Sequence, residues 1–232
     1  IEIIKGIAFD LEGTIINVEE LHFKAFTLAA QEFGLSLTFE NMVKEIPYAL
    51  GGGDKRISRG IASKISGVSE KDILVLKRRF YSKLLDEQRI IKPRPGFKKV
   101  FEEIKGLELE IAIGSLTTIE HAKILLNRSR IGDLFPEKKQ VFEKDVKNLK
   151  PNPDVFHETA RRMNIRTDEQ LVFEDSATGI TAAYLAGSQA IALPVYSFEE
   201  NLIKLIRAGA KRIFLDWNEM NIKSIIENLN KK

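Results

Sequence analysis

Apolar residues follow two rhythms along this chain. Short, largely unalternating apolar runs cover 3–9, 109–113, 170–173, 189–193 and 212–215, with a briefer one at Val141-Phe142. Runs without alternation are what strands show when helices cover both faces of their sheet. Elsewhere apolar residues recur at three- and four-residue spacing, as Leu21, Ala25, Phe26, Leu28, Ala29 and Phe33 do before Gly34. That spacing predicts helices over 19–33, 38–46, 55–65, 69–87, 97–105, 119–128, 153–163, 179–186 and 198–208, and a closing helix from 218 onward. No strand pattern occurs between 18 and 91. Gly51-Gly52-Gly53-Asp54 breaks that helical block, and Pro93-Arg94-Pro95-Gly96 punctuates the return to alternating helix and strand. The expected fold is α/β, a doubly wound parallel sheet with an inserted all-helical domain. Its core is expected at 1–16 and 92–232 and the insert at 17–91. An insert leaving after the first strand is a candidate lid over the loop that follows that strand.

Composition narrows the function without naming it. Of 232 residues, 44% are hydrophobic and 30% charged, the balance of a globular protein. The net charge of +3 is too small and too evenly spread for a nucleic-acid partner. There are no cysteines, which excludes a disulfide, a thiolate metal site and a cysteine nucleophile. No apolar run approaches the roughly 20 residues that cross a bilayer, and the chain opens directly on a core strand. A cytoplasmic location with no membrane partner is therefore expected. Nothing in the pattern specifies an oligomeric state.

The chemistry gathers at strand ends. Phe9-Asp10-Leu11-Glu12-Gly13-Thr14 puts two carboxylates just past the first strand, on the sheet edge where α/β proteins bind ligands. An aspartate there can attack a phosphoryl group while a neighbouring acid handles the leaving group; an Asp/Gly turn would read the same way. Ile113-Gly114-Ser115 ends another strand and leads through Thr117-Thr118 into a helix, a setting for anions at free amides. Ser115 or Thr118 would serve equally as a helix cap. Lys150 precedes Pro151-Asn152-Pro153, which stiffens its loop before a helix. Asn152 is expected to cap that helix and Pro153 to open it. Val172-Phe173-Glu174-Asp175-Ser176 ends a further strand in adjacent acids. With Asp10 these suit Mg²⁺, which takes carboxylates, carbonyls and water, although Asp175 and Ser176 could also cap the next helix.

In this order the stretches resemble the haloacid dehalogenase superfamily of phosphotransferases, and the likeness covers essentially the whole chain. Phe-Asp-Leu-Glu-Gly-Thr is similar to its nucleophile motif, Ile-Gly-Ser to its second, Lys150 with Pro-x-Pro to its third, and Glu174-Asp175-Ser176 to its metal motif. The Lys-Pro-x-Pro and Glu-Asp-Ser-x-x-Gly-Ile forms look most like the branch of phosphoglycolate-phosphatase-like enzymes and β-phosphoglucomutase. The resemblance implies a helical cap at 17–91 and Mg²⁺ as cofactor. It implies that Asp10 is the nucleophile and that Glu12 is the general acid/base, with a carbonyl on the metal. Ser115 and Lys150 would hold the phosphoryl group, with Gly13, Thr14, Gly114 and Thr117 around it. Asp175 would ligate the metal with Glu174 beside it.

One residue departs from the pattern. The family usually has aspartate where this chain has Glu12, one methylene longer; the enolase-phosphatases resemble this chain in having Asp-x-Glu-Gly-Thr. Substrate choice is expected in the insert. His22 is a candidate cap or hinge contact. Lys55 and Arg56, after the glycines, resemble the family's specificity loop by position and offer charge to a second anionic group. Lys77, Arg78, Arg79 and Lys83 read as the solvated face of their helix. The expected function is Mg²⁺-dependent hydrolysis of a small phosphorylated metabolite. A phosphomutase and a non-catalytic phosphate-binding protein are the alternatives.

Overall fold

The computed structural model describes residues 3–230. Its contacts divide the chain into two compact units, one spanning Val18–Ile90 and the other formed by the rest of the described chain.

The larger unit is built on six parallel strands: β1 (Gly6–Phe9), β2 (Glu110–Gly114), β3 (Gln140–Val141), β4 (Gln170–Glu174), β5 (Gln189–Ala192) and β6 (Arg212–Ile213). Their order, β3-β2-β1-β4-β5-β6, places β1 centrally and makes this the doubly wound α/β sheet expected of the chain. The register pairs Phe9 with Ile113 and Phe173, so the carboxyl ends of β1, β2 and β4 finish together. The first strand is shorter than its apolar run, because Ile3 is exposed and pairing begins only at Gly6.

The two faces of the sheet pack differently. Phe9 stacks on Phe173 at 5.4 Å and meets the edges of Phe97 and Phe135, and Trp217 lies 5.0 Å from Phe173. Aromatic pairs at such spacings add to the burial of their large surfaces. On the other face Ala8, Ala112, Ala190 and Ala192 present little bulk. Helices α7 (Asp154–Met163) and α8 (Ala177–Leu185) come close there, and a Cβ on Gly114 would sit 2.9 Å from Thr159 and 3.3 Å from Phe156 of α7. Helices α5 (Phe97–Lys105), α6 (Ile119–Arg128), α9 (Glu199–Ala208) and α10 (Ile222–Leu229) complete this unit.

The smaller unit contains α1 (Glu19–Gln31), α2 (Phe39–Glu45), α3 (Asp54–Ala62) and α4 (Glu70–Glu87), with no strand among its described residues. Thr38 and Ser69 cap α2 and α4 through reciprocal capping boxes. Across the described residues no helix is long and apolar enough to cross a membrane.

Candidate active site

Asp10 continues the β1 ladder by one residue, its amide donating to the Phe173 carbonyl at 3.0 Å. The chain then folds on itself. Ile15 and Ile16 donate to the Leu11 carbonyl, and the Gly13 amide donates to Ile16 at 2.7 Å. The turn needs a left-handed residue, and Gly13 supplies it with φ 86°. A side chain at Gly13 would also collide with the Asp175 carboxylate. Thr14 donates to Asp175 Oδ1 at 3.4 Å, so the loop after β1 lies directly against the loop after β4.

Lys150 joins the strand ends. Its Nζ donates to Asp10 Oδ1 at 2.7 Å, Glu174 Oε1 at 2.6 Å and the Gly114 carbonyl at 3.1 Å. All three charged side chains are less than a tenth exposed. The loop geometry that delivers Lys150 differs from the expected one. The Lys150–Pro151 peptide is cis, and Pro153 occupies the N-cap position of α7. Asn152, expected as the cap, instead donates from its side chain to the Leu149 carbonyl, while Asp154 accepts from the backbone and side chain of Asn148.

The Asp10 carboxyl is pushed up to about 7, chiefly by burial, with Lys150 opposing the rise and Glu174 and Glu12 adding to it. Burial also disfavours the Lys150 ammonium, but Asp10 and Glu174 outweigh it and hold that pKa above its ordinary value. One ammonium thus serves two buried carboxylates.

Ser115 and Thr117 are buried after β2. Thr118, not Ser115, caps α6, accepting from the His121 amide. The Thr117 hydroxyl is buried with no hydrogen-bond partner among the described residues. Ser176 caps α8 by accepting from the Gly179 amide, and its own amide and hydroxyl donate to Glu174 Oε2.

A sequence profile of the haloacid dehalogenase-like hydrolases matches residues 7–193, which contain each of these loops. The chain belongs to that family. It is 27% identical over 211 residues to a phosphorylated carbohydrates phosphatase of Thermotoga maritima, covering 89% of this chain and 92% of that one. It is 30% identical over 189 residues to the fructose-1-phosphate phosphatase of Escherichia coli, covering 80% and 94%. A haloacid dehalogenase hydrolase of Entamoeba histolytica, family IA variant 3, shares the fold with a TM-score of 0.82 at 21% identity over 98% of this chain and all of that one.

Members of this hydrolase family generally use Mg²⁺, and the donor set here suits such an ion. No three acidic or histidine side chains converge as a ready-made metal cluster among the described residues. Mg²⁺ needs none, since it is commonly held by one or two carboxylates with carbonyls and water. The electrostatics favour a cation: Lys150 is shared between Asp10 and Glu174, Glu12 acts on Asp10, and Asp175 and Asp216 act on Arg94, so carboxyl groups outnumber the two cations. Glu174 fits the metal least well of the four, because its oxygens are engaged by Lys150 and Ser176.

The remaining candidates belong to the helical unit. His22 Nδ1 lies 2.8 Å from Lys77 Nζ, and its ring stacks on Tyr81 at 4.1 Å. Lys55 and Arg56 are exposed in the first turn of α3, Arg56 lying over the Tyr48 ring. Lys77 corrects the expectation of a solvated face. It is 1% exposed, paired with Asp54 at 2.5 Å and seated over the Phe26 and Tyr81 rings. Lys77 lies four residues from both Ile73 and Tyr81 on the buried stripe of α4, but spacing alone does not reveal the Asp54 partner that lets a lysine stay there. Arg94, read only as punctuation, donates to the Gly13 carbonyl at 2.8 Å.

Proposed function

We propose that this hydrolase removes the phosphoryl group from a small phosphorylated metabolite by way of an aspartyl phosphate on Asp10. The observation that carries the reading is Lys150, buried and bonded at once to Asp10, Glu174 and the Gly114 carbonyl. That contact holds the Asp10 carboxylate at the common edge of β1, β2 and β4 and keeps positive charge where phosphoryl oxygens would gather negative charge. Phosphoryl transfer asks mainly for such positioning and charge neutralisation.

In the first step a carboxylate oxygen of Asp10 bonds to phosphorus, the ester P–O bond breaks, and Glu12 gives its proton to the departing oxygen. In the second, Glu12 takes a proton from water, the water oxygen bonds to phosphorus, and the acyl phosphate bond returns its electrons to Asp10. Lys150, Ser115 and the Thr117 hydroxyl bind phosphoryl oxygens. A buried hydroxyl without a partner costs about 1–3 kcal/mol, which a phosphate oxygen would offset. Asp10, the Glu12 carbonyl and Asp175 would hold Mg²⁺, with Glu174 anchoring Lys150 beside them. Bound there, the ion would polarise the phosphoryl group and lower the Asp10 pKa towards the ionised nucleophile. Glu12 retains the carboxylate the two proton transfers require, on a longer arm than the family's usual aspartate.

The phosphorylated-carbohydrate and fructose-1-phosphate phosphatases among the relatives point to sugar phosphates as the substrate class. The test is hydrolysis of an aryl phosphate with Mg²⁺ or EDTA, followed by a panel of sugar phosphates. Mg²⁺-dependent turnover by the parent and faster turnover of a sugar phosphate are expected. A parent without turnover beside an active Glu12→Asp variant would return the chain to the binding-only alternative.

A further inference from the structure

Arg94 makes an unusual set of bonds for a charged side chain, since all four hydrogen bonds of its guanidinium go to neutral carbonyls. Nη1 donates to Gly13 at 2.8 Å and Leu193 at 2.5 Å, and Nη2 donates to Pro194 at 3.2 Å and Leu215 at 2.9 Å. These acceptors belong to the segments that follow β1, β5 and β6. Its backbone amide donates to a fifth carbonyl, Ile15, at 2.7 Å. Trp217 Nε1 donates to the carbonyl between them, Thr14, at 3.1 Å. Three successive carbonyls of the loop after Asp10 are therefore tied, two of them by Arg94. On the loop's other side Asp175 fills the space a Gly13 side chain would need, and the Arg94 charge acts on Asp175 as well.

We propose that Arg94 is the positioning residue of the nucleophile loop, fixing the Gly13 peptide so that Glu12 and Asp175 keep one arrangement relative to Asp10. This rests on the phosphatase reading above. A planar fork with five donors can meet carbonyls arriving from three directions, whereas the lysine ammonium is a single point. The Glu12 side chain leaves the backbone one residue before the clamped Gly13 carbonyl, so the clamp limits where its longer arm can reach. Displacements near 1 Å in such a constellation can lower turnover about 10²-fold.

The test compares the full-length parent with Arg94→Lys and Arg94→Ala. In Arg94→Lys, kcat should fall about 10²-fold with KM within about threefold, because the loss falls on the transition state. Added guanidinium should restore Arg94→Ala at least about tenfold, and ammonium should not, because only the planar ion reproduces the fork. The single tryptophan gives a readout independent of turnover, since the Trp217 indole is bonded to the loop and fully buried. Its emission should shift to the red in Arg94→Lys. An Arg94→Lys enzyme that is folded, with kcat within about threefold of the parent, overturns the proposal, as does loss of the fold in both variants. A parent that turns over no phosphate ester overturns the phosphatase reading instead. The clamp is then judged from Trp217 alone, a red shift sustaining it and unchanged emission overturning it.

Discussion

At Lys150 a single ammonium, its side chain 7% exposed, stands between Asp10 and Glu174. Replacing it with methionine keeps much of the stem's bulk and removes the charge, leaving two carboxylates to face each other in a buried site. Asp10, already raised to about 7 chiefly by burial, should then rise further. For Lys150→Met we expect kcat to drop about 10²–10³-fold, the scale of losing one preorganised charge contact, and the acid limb of the pH–rate profile to move upward. An unchanged acid limb would separate Lys150 from Asp10. Lys150 was legible in the sequence because two prolines single out its loop. Lys77 was not, because a lysine on a helix is read as solvated until something nearby can neutralise it. Asp54 does so from another helix, across a separation that periodicity does not report. Arg94 was hidden for a related reason, as its partners are backbone carbonyls, which leave no mark on residue type.

Among the elements, α7 carries the Lys150 loop into the core and is steadied on its outer side by charge. Glu158 accepts from Arg161 and Arg162, and Arg162 also pairs with Asp145 and donates to the Gln140 carbonyl of β3. These contacts, with the Arg161 hydrogen bond foremost, hold the Glu158 carboxyl at about 2 against an ordinary 4.5. Folding lowers this pKa, so its stabilising contribution is complete above about 4.5 and is lost as pH falls towards about 2. Thermal midpoints measured across that window should fall less steeply in Glu158→Gln than in the parent; parallel curves would show that Glu158 does not set the acid loss of stability. Most elements were readable from spacing and caps, with α5 and α6 falling on their expected residues. The misses lie at ends. β6 stops at Ile213, and the closing helix starts at Ile222 after a short turn around Trp217. Trp217 is drawn inward by the aromatic cluster and the Thr14 carbonyl, tertiary demands that local pattern does not contain.

For the whole molecule, the arrangement that matters is the common finish of β1, β2 and β4, with the β5 exit beside them. It brings Asp10, Gly114 and Glu174, separated widely in sequence, to a single ammonium. The order of acids, hydroxyls and lysine along the chain foreshadowed that convergence, since the parallel sheet puts every strand end on one edge. What order could not convey is how the charge is shared: the Lys150 ammonium serves both Asp10 and Glu174, and Ser176 takes the other oxygen of Glu174. We propose that Asp10 carries the phosphoryl group in transit. Acid-quenching the enzyme during turnover of a phosphate ester, then mapping the adduct by peptide mass spectrometry, tests this directly. One phosphoryl group is expected on Asp10 of the parent and none in an inactive Asp10→Asn variant. A phosphoryl group on another residue, or undiminished turnover by Asp10→Asn, would contradict it.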